Sequence, residues 1–202
     1  MPSITTAPLL GSHPIQPLSW EAHLRRRLSA YMRKGPQPAQ RAKLFMRFYP
    51  PLFFQRVVPL YIAPDYSVAH IKVKRSLLTI NLNGSFFGGT IMAAIDPWYG
   101  MLIAQKAAHE NIPVEVWVQE MNIYFHRATR GSLYFTCAIS PEMWAGIRQR
   151  LLTEGRFRYP VAFEIFGSEG YLCASGVQTL YLRNLHLHPR LPHVIPARPI
   201  SL

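Results

Sequence analysis

The pattern of apolar and polar positions along the chain predicts strands on either side of one buried helix. The pattern turns to strand from Leu52, and from Val68 to Arg75 the two kinds of residue alternate, with Ala69, Ile71 and Val73 on the apolar side. A period of two predicts a half-buried strand. Residues 88–110 are apolar in every direction round a helix axis, so we expect a long helix that is buried on all sides.

The pattern after this helix predicts a single antiparallel sheet. Val114–His126 alternates over a long strand, with Trp117, Met121, Ile123 and Phe125 mostly on one face. Short turns join the later strands, so neighbouring strands should run antiparallel. The remaining segments are a strand at 133–139, a helix at 141–153 and strands at 158–166 and 171–183. A curved antiparallel sheet wrapped around a long central helix is the hot-dog fold, an α+β architecture.

The N-terminal extension, residues 1–48, is the most basic part of the chain. We expect two helices in it, at Trp20–Lys34 and Pro38–Phe48. The hot-dog domain should follow at 49–185, with a proline-rich tail at 186–202. The basic residues of the extension are Arg25, Arg26, Arg27, Arg33, Lys34, Arg41, Lys43 and Arg47. They could contact an anionic surface or ligand, or they could form the solvated face of a docking helix.

The overall charge limits the kinds of partner. The 202 residues carry a formal net charge of +12, and 49% of them are apolar. Such a chain can bury a substantial core. Its charge attracts polyanions, which include nucleic acid, an acidic membrane surface and a phosphorylated ligand such as coenzyme A. Charge alone does not choose between these partners, and it can also serve solubility.

Cysteine and histidine usage gives no sign of a metal site. Cys137 and Cys173 are too few for a disulfide framework or a four-thiolate site, so we expect two small buried apolar residues. His186, His188 and His193 have only a loosely metal-like spacing, and we expect no metal. The chain has no run long enough for a membrane span and no secretory signal pattern. We therefore expect a soluble, cytoplasmic protein.

One carboxylate stands out within the long apolar stretch 81–105. Asp96 is the only charged residue of this stretch, and an unpartnered carboxylate among apolar neighbours is costly. Pro97 lacks the N–H that would bond the Ala93 carbonyl, so we expect a kink or a local break there. The turn Gly84–Gly89 leads into the helix, whose first N–H groups are free at its positive end. A carboxylate near such donors is a reasonable start for a hydrolytic site.

These motifs resemble those of the hot-dog thioesterase superfamily, most closely an uncharacterised branch with an FGG…DP motif. The resemblance covers about residues 45–184. The residues that carry it are Asn81, Gly84, Phe87-Gly88-Gly89 and Asp96-Pro97-Trp98-Tyr99, then Phe125-His-Arg127 with Gly131, and Thr179-Leu-Tyr-Leu-Arg183. Relatives of the phenylacetic-acid-degradation type cleave acyl-CoA thioesters, so the resemblance implies a thioester hydrolase.

The resemblance assigns the catalytic roles to three residues. Asp96 would act as general base or nucleophile, the N–H of Gly88 would bind the thioester oxygen, and Asn81 would help to place water or substrate. The chemistry is consistent, because thioester hydrolysis needs fixed donors at the oxygen and a carboxylate to activate water. Further candidate substrate-binding residues are Gly84, Phe87, Gly89, Trp98, Arg127 and Arg130.

The resemblance also implies an assembly. In hot-dog proteins the central helices of two chains sit together, so we expect a homodimer or a dimer of dimers. Asn81 and Gly88 would then face Asp96 of the other chain. Arg127 and Arg130 are candidates for holding the phosphates of coenzyme A, which would enter as part of the substrate and not as a cofactor.

Three departures from the superfamily leave other functions open. Phe87 stands where relatives usually have His, and Val118 lies near the place where some have a Ser or Thr hydroxyl. Asp96 is followed by Pro97, which could turn the carboxylate. Glu120 is the nearest other acid on that strand, where an exposed glutamate is expected. A non-catalytic acyl-CoA-binding protein is therefore one alternative. A nucleic-acid or anionic-surface binder that works through the basic extension is another.

Overall fold

The computed structural model describes His23 and residues 35–190, which contain a six-stranded sheet and four helices. A compact unit begins at Gly35. The predicted helix at 20–34 (apart from His23) and the end of the tail lie outside the described residues. The elements are α1 (Ala39–Phe48), α2 (Pro50–Phe54), β1 (Val57–Ile62), β2 (Val68–Val73), α3 (Gly88–His109), β3 (Val114–Phe125), β4 (Leu133–Ala138), α4 (Pro141–Thr153), β5 (Arg156–Gly167) and β6 (Leu172–Asn184).

The sheet has the strand order β1-β2-β4-β5-β6-β3, and every neighbouring pair is antiparallel. It curves around α3, which confirms the predicted α+β hot-dog architecture. The predicted inner face of β2 is confirmed, because Ala69, Ile71 and Val73 are all buried. Cys137 and Cys173 are free and buried, as expected of small apolar residues.

The central helix α3 is continuous from Gly88 to His109. Of the predicted kink or local break at Pro97, the break does not occur. Trp98 is fully buried, and its indole Nε1–H donates to the carbonyl oxygen of Ala94 at 2.7 Å, one turn earlier. Ile95 and Leu102 are also fully buried against the sheet. The helix continues beyond Pro97 because the packing of these buried side chains against the core holds its two halves in line.

One face of α3 is left uncovered, so the prediction of burial on all sides is wrong there. Gly89, Met92 and Asp96 are exposed, and Ala93 and Gly100 are half-buried. Spacings of three and four residues place all five along one side of a helix. We call them the α3 stripe. The sheet curves around the helix without closing over this side.

The N-terminal helices differ in part from the prediction. Helix α1 is confirmed within one residue of its predicted start. Residues 52–54, expected to begin a strand, instead lie in α2, whose Pro50 occupies a first-turn position where a missing N–H costs nothing. The segment before α1 is tied to the core, because the Gln37 N–H donates to Gln105 Oε1 at 2.9 Å and its carbonyl accepts from the Tyr66 hydroxyl at 2.7 Å.

Strand β3 lies at one edge of the sheet and contains a β-bulge. Its pairing with β6 shifts between Val118 and Glu120. A Cβ atom on Gly100 would lie 3.7 Å from Val116, and one on Gly88 would lie 3.2 Å from Phe125, so both strand residues face α3. Nine positions separate them, and an odd separation would place them on opposite faces of a regular strand. The bulge adds one residue to the strand, so Val116 and Phe125 both face the helix despite the odd separation.

The bulge also overturns the predicted face of Trp117. Because Val116 faces the helix, Trp117 points to the other side, where it stacks on Tyr181 with ring centroids 6.4 Å apart. Phe125 keeps the inner face. The prediction that Trp117 and Phe125 share one face is therefore wrong, since it assumed an unbroken alternation.

Candidate active site

Asn81 holds the glycine turn in shape. Its side-chain Oδ1 accepts from the N–H of Asn83 and the N–H of Ser85, at 3.0 and 3.1 Å. Its Nδ2 donates to Ser85 Oγ at 2.9 Å and to the Phe86 carbonyl at 3.4 Å. Gly84 has a φ of 75°, which a side chain would disfavour. In the single chain the amide of Asn81 therefore serves its own turn, and its role toward water or substrate stays a prediction.

The turn leads into the N-terminus of α3, where two backbone N–H groups are free. Phe87 precedes the helix and offers no side-chain acceptor, while its carbonyl accepts from Thr90 and Ile91. Among the described residues, the N–H groups of Gly88 and Gly89 have no acceptor. These donors lie at the positive end of a helix of 22 residues. These two N–H groups can donate to a carbonyl oxygen of a ligand and stabilise negative charge on it.

Aromatic rings flank the two glycines closely. The ring of Phe125 lies against Gly88, and a Cβ atom on Gly89 would collide with the ring of Phe87. Any side chain at either glycine would therefore displace a ring and shield the donors. Phe125 belongs to the site for this reason, although sequence analysis gave it no role there. The alternation of β3 alone did not reveal it, because the bulge changes the phase.

Asp96 lies on the α3 stripe as a carboxylate without a partner. Among the described residues no hydrogen bond or ion pair reaches it. Its surface is exposed in the single chain, yet the surrounding protein removes enough water that burial raises the pKa of its carboxyl. Pro97 also leaves the Ala93 carbonyl without its helical donor. Asp96 is therefore an acceptor without a donor on an exposed part of the helix.

A single chain does not bring the free donors and the free acceptors together. Gly88 and Asp96 are eight residues apart, which is about 12 Å along a helix axis. A ligand atom within hydrogen-bond distance of one would be out of reach of the other. The predicted catalytic set is therefore incomplete within one copy of α3.

The predicted substrate-binding residues fall into separate environments. Trp98 is 0% exposed and lies in the core, so it lines no open surface. Gly84, whose carbonyl accepts from Arg75 Nη2 at 2.8 Å, and the exposed ring of Phe87 lie at the turn. Arg127 lies just past the end of β3 and stacks on Tyr171, with its Cζ 3.7 Å from the ring centroid.

The loop between β3 and β4 presents a basic side chain that can bind an anion. Arg130 is exposed in the loop between β3 and β4. The loop itself is anchored by Thr129, whose hydroxyl donates to Glu169 at 2.9 Å. Since β3 ends against Gly88, this loop leaves the sheet near the free donors of α3. Its role in phosphate binding remains a prediction.

A cavity of about 550 Å³ opens elsewhere, where β4 and β5 separate. Their pairing stops at Phe135 and Ile165, and the Tyr99 hydroxyl donates to the Ala162 carbonyl at 3.3 Å across the gap. Burial strongly raises the pKa of Tyr99, so its hydroxyl stays protonated. None of the predicted site residues lines this cavity. We assign the candidate site by chemistry and not by cavity size.

In the described ranges, no group of three or more His, Cys, Asp or Glu side chains could hold a metal ion. No helix in the same ranges is long and apolar enough to cross a membrane.

Solved structures with the same architecture are thioesterase-like proteins of low sequence identity. A Pseudomonas aeruginosa protein of unknown function, described as a "probable thioesterase", superposes with a TM-score of 0.66 at 15% identity, covering 74% of this chain and 98% of its own. A Haemophilus influenzae thioesterase gives a TM-score of 0.58 at 14% identity, covering 79% and 99%. Zebrafish thioesterase superfamily member 2 gives 0.51 at 20% identity, covering 72% and 98%.

These likenesses show the fold of the chain. It has the hot-dog fold that these structures share. More narrowly, it belongs to the family described as domain of unknown function DUF4442, whose family model matches residues 40–182. No curated protein matches the sequence.

Proposed function

We propose that this protein is an acyl-CoA thioesterase that works as a homodimer. The observation that carries the proposal is the mismatch on α3. Gly88 and Gly89 offer donors without acceptors, and Asp96 is an acceptor without donors, about 12 Å away. A second copy packed antiparallel on the α3 stripe would bring the donors of one chain toward the carboxylate of the other. The small residues Ala93 and Gly100 favour such a close approach of two helices.

The proposed reaction uses water as the nucleophile. The carboxylate of Asp96 accepts a proton from a water molecule, whose oxygen attacks the thioester carbonyl carbon. Negative charge forms on the carbonyl oxygen, and the N–H of Gly88 from the other chain stabilises it. The C–S bond then breaks, and the thiolate leaves with the proton that Asp96 took up. The products are a carboxylic acid and free coenzyme A.

The overall charge supports a phosphorylated substrate. The net charge is +12, and Arg127 and Arg130 lie beyond β3, which ends beside Gly88. Coenzyme A carries phosphates that such residues bind as charge-assisted partners. The acyl group would enter among the rings of Phe87 and Phe125, which favour an apolar or aryl chain.

The test follows the release of coenzyme A thiol from a panel of acyl-CoAs. We expect turnover with at least one acyl chain, and we expect Asp96→Asn to lower kcat by about 10²–10⁴-fold while substrate binding survives. Glu142→Gln makes the same acid-to-amide change at an exposed position at the start of α4 and controls for general damage. Turnover that is equal in the wild type and in Asp96→Asn for every substrate would refute the assignment of the base.

A non-catalytic acyl-CoA-binding function is the second candidate. Phe87 favours it, because a phenyl ring at the entrance to the donors cannot orient water or substrate as the usual His could. The amide of Asn81, which is occupied within its own turn, favours it as well. This function predicts saturable binding without thiol release, and binding that is unchanged in Asp96→Asn. Calorimetry together with the thiol assay separates the two candidates.

A further inference from the structure

A cluster of large apolar side chains is exposed where α1 meets α2, and none of these residues belongs to the sheet. Phe48, Phe53 and Phe54 are 59%, 45% and 64% exposed. Their rings form a chain of contacts, with centroids 6.2 Å apart between Phe48 and Phe53 and 5.5 Å apart between Phe53 and Phe54. Leu44 is also exposed and lies one turn before Phe48. We call these four residues the aromatic platform.

Exposed side chains of this size in one cluster are unusual on a protein surface. Single exposed apolar residues need no explanation, but contiguous ones mark an interaction surface. The ring contacts show that the platform is contiguous. Two short helices present it outward, while Ala42, Met46 and Leu52 on their opposite sides are buried.

Positive charge surrounds the platform. Arg41 and Arg47 are exposed on α1, and Arg56 is exposed just after α2. Lys74 is exposed beside Arg56, since its N–H donates to the Arg56 carbonyl at 3.0 Å. We call these four residues the basic rim. Among the residues that the structure describes, none of the four forms an ion pair.

The segments that form the platform and its rim carry no acid of their own. Residues 22–64 and 66–95 contain no Asp or Glu. The one carboxylate between them, Asp65, lies in the turn at the far end of β1, about 20 Å from Arg56 for a strand of six residues. It is engaged there with Ser67 and Lys106. The charge that these segments bring to the platform is therefore positive.

We propose that the aromatic platform and the basic rim form a docking surface for an anionic phospholipid membrane. Phe and Leu side chains on one face enter the boundary between headgroups and acyl chains, while Arg and Lys remain among the headgroups. Each basic residue near an anionic surface strengthens binding about fivefold. Charge complementarity and apolar exposure on one surface both favour this occupant. The proposal is independent of thioester hydrolysis.

The arrangement of the rings favours a membrane over nucleic acid. Base stacking uses open ring faces spaced along a basic groove. Here Phe48, Phe53 and Phe54 pack against one another, and Leu44 has no ring to stack. An apolar cluster of this kind gains more by leaving water for lipid than by contact with bases.

The experiment is sedimentation of the full-length protein with vesicles of phosphatidylcholine, with and without a minority of phosphatidylglycerol. We expect binding to the anionic vesicles, and we expect it to weaken strongly when salt rises from about 0.1 M to about 1 M, because the Debye length falls from about 10 Å to about 3 Å. Phe53→Ser/Phe54→Ser should weaken binding at least about tenfold. The matched control is Leu152→Ser/Leu187→Ser, which removes exposed apolar side chains elsewhere and should bind as the wild type does.

A second measurement covers the case in which the double variant does not fold. Phe54→Cys carries an environment-sensitive fluorophore, and Leu152→Cys carries the same label as control; the native cysteines are buried. A blue shift with anionic vesicles at position 54 alone supports the proposal. Equal binding to pure phosphatidylcholine, tighter binding to RNA, or a change of oligomeric mass in Phe53→Ser/Phe54→Ser would overturn it. Binding lost only in Arg25→Gln/Arg26→Gln/Arg27→Gln would also overturn it.

Discussion

The α3 stripe and the aromatic platform are both uncovered apolar surfaces, but they differ in every other respect. The stripe is narrow and is built from small residues such as Ala93 and Gly100, with one carboxylate. The platform is built from large rings that project outward, with a rim of cations and no acid. A surface of small residues suits a rigid partner of the same shape, such as a second helix. A surface of large rings with a basic rim suits a fluid and anionic one.

The largest effect should come from adding bulk to the stripe. Ala93→Trp places a large side chain where two helices would approach closely, so we expect the dimer to separate and hydrolysis to fall at least about 100-fold. Light scattering measures the mass, and thiol release measures the activity. Leu44→Trp makes the same kind of change on the platform, and we expect it to preserve both mass and hydrolysis. If Ala93→Trp keeps the wild-type mass and activity, the stripe is not the dimer contact.

An intermediate effect concerns pH. Burial raises the pKa of the Asp96 carboxyl above its usual 3.8, and a second chain over the stripe would add burial in the same direction. Because the proposed mechanism uses the carboxylate as its base, kcat/KM should fall about tenfold per pH unit below that raised pKa. The profile of kcat/KM against pH measures this. Vesicle binding through the aromatic platform does not use Asp96, so it should not follow the same curve. An inflection at or below 3.8 would contradict the assignment.

The smallest effect concerns stability. The raised pKa means that the folded chain binds this proton more tightly than the unfolded chain, so folding loses stability as pH rises through the folded-state pKa. Asp96→Asn removes that loss. In the Ala93→Trp background, which we expect to be a monomer, Asp96→Asn should raise the free energy of unfolding at neutral pH. The gain should vanish below the ordinary pKa.

Urea unfolding measures this gain, and the platform provides the comparison. Phe54→Ser should change the free energy of unfolding by no more than about 0.5 kcal/mol, because its ring is 64% exposed. A larger loss would make the platform part of the folded core. A destabilising Asp96→Asn at neutral pH would mean that the carboxylate has a partner in the single chain.

Local patterns predicted the architecture well because they report on burial directly. The alternation at Ala69, Ile71 and Val73 matches buried positions, and so do the large apolar residues of α3 away from the α3 stripe, such as Ile95, Trp98 and Leu102. The turn at 167–170 is present as predicted, with the Gly170 N–H donating to the Gly167 carbonyl at 2.9 Å. Helix α2 was not predicted, because the prolines at its start indicated a domain boundary. The first turn of a helix nevertheless accepts proline.

Features that depend on distant contacts could not be predicted from local sequence. The α3 stripe exists because the sheet stops short of one side of the helix, and hydropathy alone does not show where a sheet ends. The position of Trp117 depends on the pairing of β3 with β6. The spacing of Gly89, Ala93, Asp96 and Gly100 was a usable signal for the stripe, since small or polar residues recur there every three to four positions.

The bulge at Gln119 decides which changes of length β3 can tolerate. Deletion of Gln119 itself would leave eight positions between Val116 and Phe125, an even separation that keeps both residues facing α3 in a regular strand. Deletion of one residue after the bulge would instead turn Phe125 away from Gly88, because the bulge would remain and the alternation beyond it would shift by one. The aromatic ring beside the helix start therefore depends on the number of residues between the bulge and Phe125.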